Sequence, residues 1–454
     1  MASSLVAHIF VLLLWSIDSQ RINDEESIVD KCKSGVDYLS KLEDLRILML
    51  EQRNEFKKDN QELKNQLTLL ETLRNTTKGQ RKDFDFVGFT AMLEARNLPQ
   101  HDSIIKPSRF ITLFSSSFSN TGEFLCTKDG IYVFFLHLVT NSRFNGAWIY
   151  KNDQPMTLTW QDDPHESGTT SLVVDLRVGD RISIKSYKNN LSVNETSVWT
   201  GHFLLSKTNE FIAMQSTLKN TENLTVISGK DMVTNIGSAN FLLQTGFVCT
   251  KTGWYKIDIN IIADSTNNGV KVYANHKDVP DKLLSWHSQN GTSSSSNTAV
   301  LNITTGDKIT LDVFLEDDLT LSHYSTFSIY LLGPKFDVDS GFSCRIRPIA
   351  EEMVTCLNPN TSLNSSGYFS CKEKGYYYFS INFATGMSNN GIQIYRNEES
   401  LTFAWIGAKL GIWSTASTSL VVNLEVGDYI TFRQMRKNLT LGYSSRVVGY
   451  KIYP

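Results

Sequence analysis

One nine-residue block recurs three times and constrains the chain more than any other feature. Phe124-Leu-Cys126-Thr-Lys-Asp-Gly130-Ile-Tyr132 returns as Phe247-Val-Cys249-Thr-Lys-Thr-Gly253-Trp-Tyr255, then as Phe369-Ser-Cys371-Lys-Glu-Lys-Gly375-Tyr-Tyr377. The cysteines lie 123 and 122 residues apart. Each copy is followed by an Asn-Gly block (Asn145-Gly146, Asn268-Gly269, Asn390-Gly391). Later comes a Gly-Asp block (Gly179-Asp180, Gly306-Asp307, Gly427-Asp428). Three blocks in one order at one spacing define a unit of about 120 residues, the size of a domain rather than of a solenoid repeat.

Inside each unit, short apolar or alternating runs are separated by Gly, Asn and Asp. Ser171-Leu-Val-Val-Asp-Leu-Arg and Arg181-Ile-Ser-Ile-Lys flank the first Gly-Asp block, and the second run alternates as a half-buried strand does. Many short strands without helices predict an all-β sandwich or jelly roll. We place the three units at residues 84–206, 211–333 and 337–454.

The preceding residues differ in character. Residues 1–19 read as a secretory leader: Val6 to Ile17 is mostly apolar, too short for a span of ~20 residues, and gives way to Asp18-Ser19-Gln20-Arg21. A segment at 20–35 follows, then a coiled coil at 36–74. Leu42, Met49, Phe56, Leu63 and Leu70 fill the a positions, and Leu45, Gln52, Asp59, Gln66 and Leu73 the d positions. The polar d residues make the coil weak. Cys32 lies just ahead of it, where parallel association brings copies together, and is predicted to form an interchain disulfide. Residues 75–83 are a polar hinge.

Sequons support export. Asn-x-Ser/Thr occurs at Asn75, Asn190, Asn194, Asn223, Asn290, Asn302, Asn360, Asn364 and Asn438, predicted glycosylation sites. Six cysteines are too few for a disulfide scaffold, so packed cores must carry stability. Cys126, Cys249 and Cys371 each share a strand face with an apolar residue and read as buried thiols. One pair among Cys344, Cys356 and Cys371 is expected to bridge, and the sequence leaves the pairing open. The net charge of −3 gives no basic footprint for nucleic acid and no polybasic membrane patch.

The repeated blocks resemble the C1q domain. Its opening strand, Phe-x-Ala-x-Leu, matches Phe89, Ala91 and Leu93. The corresponding positions are Met214, Ser216 and Leu218 in the second unit and Phe342, Cys344 and Ile346 in the third. Its terminal aromatic-Gly strand matches Trp199-Thr-Gly201-His-Phe203 and, loosely, Val448-Gly449-Tyr450, whereas Phe327 to Leu332 lacks the glycine. The resemblance implies three tandem ten-stranded jelly rolls like that of tumour necrosis factor, packing as threefold trimers through apolar, aromatic-rich faces. It also implies a recognition head on a collagen or coiled-coil stalk. No Gly-X-Y run is present, so the stalk is not collagen.

No sequence pattern assigns an enzyme: there is no Gly-x-Ser-x-Gly, His-Glu-x-x-His, Cys-x-x-Cys or phosphate loop. His101, His137, His165, His202, His276, His287 and His323 do not recur at matching positions and read as surface or packing residues. The polar loop Asp162-Asp163-x-His165-Glu166 offers carboxylates to calcium, but a solvated turn is the simpler reading and no motif assigns a cofactor. The expected function is a secreted, multivalent recognition protein of innate immunity binding carbohydrate or other microbial surface ligands. A matrix cross-linker and a secreted signalling ligand for a cell-surface receptor are the alternatives. Partners are therefore a glycan or protein ligand, and other copies of the chain through the coil. The interdomain segments 206–210 and 333–340 reach roughly 17–28 Å at ~3.5 Å per residue. That span suffices for three domains of one chain to close as a pseudo-trimer. Three chains stacking homotypic heads is the other arrangement.

Overall fold

The computed structural model describes residues 43–54, 86–205, 212–332 and 341–453, less short stretches inside these ranges. Contacts divide it into two compact units, Met1–Phe84 and Asp85–Pro454. In the first, residues 43–44, 46–50 and 52–54 are helical and exposed. The leader, Cys32, most of the heptad segment and the 75–83 hinge lie outside the described residues.

The second unit is almost entirely strand, and four strands recur in each domain. An opening strand (Gly88–Leu93, Ala213–Asn220, Gly341–Pro348) pairs antiparallel with a closing strand (Val198–Leu205, Thr326–Leu331, Arg446–Tyr453). The closing strand pairs with a long central strand (Gly130–Val139, Gly253–Asp264, Gly375–Thr385). The central strand pairs in turn with a return strand (Ser167–Leu176, Thr292–Ile303, Ser414–Leu424). In the first domain these form one five-stranded sheet with Pro107–Phe114. A second sheet runs Ser117–Phe118, Phe124–Leu125, Arg181–Ser186, Asn145–Lys151, Gln154–Gln161.

Side-chain alternation explains the two-faced burial. Tyr132, Phe134 and Leu136 of the first central strand point into that domain's core with Phe89, Phe124 and Trp199. Each such large side chain contributes about 2–3 kcal/mol by leaving water. The other face, Val133 and Phe135, packs with residues of the second and third domains. A strand buried on both faces reads as a continuous apolar run, and all ten residues of Gly130–Val139 are buried.

The glycine missing from the second closing strand has a packing reason. A Cβ on Gly201 would lie 2.6 Å from the Phe89 and Phe134 rings, and one on Gly449 the same distance from Phe342. In the second domain Ile329 stands opposite Met214. A slender unbranched side chain there makes room for the isoleucine.

The Gly-Asp blocks form matching turns. Gly179, Gly306 and Gly427 have φ of +94°, +93° and +94°, the left-handed region that glycine enters without cost. Oδ2 of Asp180, Asp307 and Asp428 accepts from the backbone N–H three residues earlier at 2.8–2.9 Å.

Equivalent positions carry the contacts between domains. Thr90 Oγ1 accepts from Val421 N at 2.7 Å. Gln215 Oε1 accepts from Val173 N at 2.7 Å, and Ser343 Oγ from Val300 N at 3.1 Å. Each accepting residue directly follows Phe89, Met214 or Phe342, and each donor lies on a return strand. The first domain thus holds the third, the second holds the first, and the third holds the second. That cyclic order closes a ring of three domains within one chain.

Cys344 and Cys356 form a disulfide with Cα atoms 5.6 Å apart. Cys126, Cys249 and Cys371 are buried free thiols. Each Sγ donates to the backbone oxygen two residues on, at 3.0–3.1 Å. Tyr132, Tyr255 and Tyr377 donate to those same oxygens.

Candidate functional site at the apex

Strand register gives each domain a base and an apex. In the first domain Gly88 pairs with His202, and Gly130 with Leu176, so the chain enters and leaves beside the Gly-Asp turn. Val139–Ser167 and Asn145–Gln161 mark the opposite end. The Asn-Gly blocks lie there.

Those blocks anchor an apical loop. Asn145 Oδ1 accepts from Gly146 N at 2.8 Å and Lys188 N at 3.1 Å, and its Nδ2 donates to Asn189 O at 3.1 Å. A Cβ on Gly146 would fall 1.9 Å from Thr159 O, so only glycine permits this approach. The anchored loop carries Lys188 over the Trp160 indole at 4.5 Å. The third domain repeats the device: Asn390 Oδ1 accepts from Gly391 N and Arg436 N at 2.8 and 3.3 Å. Arg436 lies 5.9 Å from the Trp405 ring centroid. Both tryptophans are half-buried and both cations exposed.

In the first domain the aromatic surface extends across a seam. Tyr187 packs against Trp160 and Trp148 at 5.3 and 6.1 Å. Trp148 meets Tyr324 of the second domain edge-on at 4.8 Å. Neighbouring domains also hold the tryptophan backbones: Ser294 Oγ donates to Trp160 O at 2.6 Å, and Ser167 Oγ to Trp405 O at 3.0 Å. Ring closure therefore fixes the apical aromatics. Half-exposed rings backed by cations suit stacking against the apolar face of a sugar or another flat ligand.

Of the loop read as a possible calcium site, Asp162 Oδ1 instead accepts from Trp160 Nε1 at 2.7 Å and so orients the indole. Asp163, His165 and Glu166 lie outside the described residues. No group of three His, Cys, Asp or Glu among the described residues is placed to hold a metal ion. His137 and His202 are buried. Burial alone lowers the His137 pKa to about 4; burial, then the Lys256 charge, lowers His202 to about 3. Among the sequons, Asn190, Asn302, Asn364 and Asn438 are exposed. Asn194 is half-buried, its Oδ1 accepting from Thr196 N and Oγ1. Asn75, Asn223, Asn290 and Asn360 lie outside the described residues. The apical aromatics were not singled out in the sequence; the signal available was a tryptophan following each Asn-Gly block (Trp160, Trp286, Trp405).

The C1q domain model matches residues 88–204, 210–332 and 352–448. The chain belongs to the C1q domain family, with three domains in tandem. Members of that family are recognition modules and are typically secreted. Among solved structures, the globular domain of zebrafish complement 1qA aligns at 14% identity and TM-score 0.24, covering 27% of this chain and 99% of that one. The Eiger tumour necrosis factor of S. frugiperda aligns at 13% and 0.24, covering 27% and 96%. No curated protein matches the chain. Among the described residues no helix is long and apolar enough to cross a membrane.

Proposed function

We propose that this is a secreted recognition protein of innate immunity that binds carbohydrate or other microbial surface ligands at the apices of its ring of domains. The observation that carries this reading is the apical pairing of half-exposed tryptophan and exposed cation, built twice on the same Asn-Gly anchor. A single apical contact of this kind is weak. Several heads on one particle raise avidity through effective concentration, so the reading includes association of chains. Purified full-length protein is expected to bind immobilised bacterial polysaccharides. Absence of binding to every microbial ligand, together with binding to a host receptor, overturns the reading in favour of a signalling role.

Association is assigned to the coiled coil expected at 36–74 and to Cys32, expected to join chains covalently. Non-reducing gels are expected to show an oligomer that Cys32→Ser removes. A monomer band in the unmodified protein without reductant contradicts this.

A further inference from the structure

The axis of the ring is layered, each domain supplying the same strand position. Val133, Lys256 and Tyr378 each stand three residues beyond the glycine opening a central strand, and Phe135, Asp258 and Ser380 two further on. Only the second domain places charges in these layers. The Lys256 side chain is 0% exposed and pairs with Asp258, itself 8% exposed. Asp258 Oδ1 also accepts from Thr298 Oγ1 at 2.5 Å. The ammonium lies 4.2, 5.4 and 5.1 Å from the ring centroids of Phe135, Tyr330 and Tyr378. One ring of this cage comes from each domain.

A further layer joins hydroxyls at equivalent positions. Ser417 Oγ donates to Thr169 Oγ1 at 2.7 Å and lies 2.6 Å from Ser296 Oγ. The axial cavity that all three domains line holds about 20 Å³, room for about one water and not for another side chain.

We propose that the Lys256–Asp258 pair makes the second domain reject copies of itself, so that every ring contains one second domain, seated against a first and a third domain that carry no charge at the positions equivalent to Lys256 and Asp258. A ring of three second domains would crowd three ammonium groups and three carboxylates onto one axis. It would also lack Phe135 and Tyr378, two of the three rings that stabilise the buried cation. Desolvating each extra ion costs several kcal/mol. First and third domains bury no charge in these layers. The pair therefore decides between the two assemblies that the sequence leaves open, excluding stacked homotypic heads. The inference is independent of ligand recognition.

The hydroxyl layer supplies the test, in full-length protein carrying Cys32→Ser. In a homotypic ring three copies of residue 296 would meet; in a mixed ring residue 296 faces residues 169 and 417. After oxidation, Ser296→Cys alone is expected to give no chain-to-chain bridge at position 296. Ser296→Cys with Ser417→Cys is expected to form an intrachain bridge in most molecules, located by peptide mapping. Adding Tyr378→Lys, a second axial ammonium, is expected to cut that bridge at least tenfold, whereas Tyr378→Phe leaves it intact. Dimers linked through residue 296 in the single variant, or an undiminished bridge with Tyr378→Lys, overturn the proposal. Should Tyr378→Lys fail to fold, the single Ser296→Cys variant decides alone.

Discussion

Asp258→Ala is expected to destabilise the head by about 3–5 kcal/mol at pH 7, among the largest effects of any single substitution in this chain. Among the described residues, its carboxylate is the anion paired with the buried Lys256 ammonium, and removing one partner of a buried pair leaves the other charge uncompensated. The lysine already feels the strain of burial. Desolvation lowers its pKa to about 8, with Asp258 the group holding it up. A discriminating comparison follows. Lys256→Met fills similar volume without charge, so Lys256→Met with Asp258→Ala is expected to be more stable than Asp258→Ala alone. Urea unfolding of the unmodified protein and the two variants at pH 7 measures this. Equal stability of the single and double variants would show that the pair contributes no buried charge and would sink the argument.

Acidification is expected to weaken the ring well before carboxylates protonate. His137 and His202 are neutral in the folded protein down to pH of about 4 and about 3, while unfolded histidine binds a proton below about 6.5. Between these limits the unfolded state binds more protons. Stability is therefore fully present above pH 6.5 and falls as pH drops through this window, by about 1.4 kcal/mol per pH unit for each histidine. From pH 6.5 to 4.5 the two sites together remove about 5 kcal/mol. Sister domains supply the control substitutions: Asn260 and Asn382 occupy the place of His137, and Tyr330 and Tyr450 that of His202. His137→Asn with His202→Tyr is expected to flatten the loss between pH 6.5 and 4.5, a range above the ordinary carboxylate pKa values. A variant that keeps the full acid slope would refute the assignment.

The fold was legible because its special positions recur. Asn145, Gly179 and Cys126 each perform a local task that any copy of the domain must perform, so the residues returned at fixed spacing. Lys256, Asp258 and Asn260 behaved differently. They alternate with Ile257, Ile259 and Ile261, the pattern of a strand with one face in water. Only closure of the ring turns that wet face into an axis, and closure is a property of three domains together, invisible in any local window. The apical site was hidden for a similar reason. Trp148 and Tyr324 are 176 positions apart (324 minus 148) and meet only across a seam. The second closing strand departs from the motif with Ile329 in place of glycine, and the reason, Met214 opposite it, lies on a strand more than a hundred residues away. Asp162, read as a cation ligand or a solvated turn, is committed to the Trp160 indole.

The central claim is that the apical tryptophans recognise ligand. Its most direct test is the binding of full-length protein carrying both Trp160→Ala and Trp405→Ala to a polysaccharide that the unmodified protein binds. Each ring contributes roughly 0.5–1.5 kcal/mol of stacking beyond its buried area. The account predicts at least a tenfold weaker half-saturation by a double variant that still unfolds cooperatively in urea. Undiminished binding by a folded double variant would contradict it.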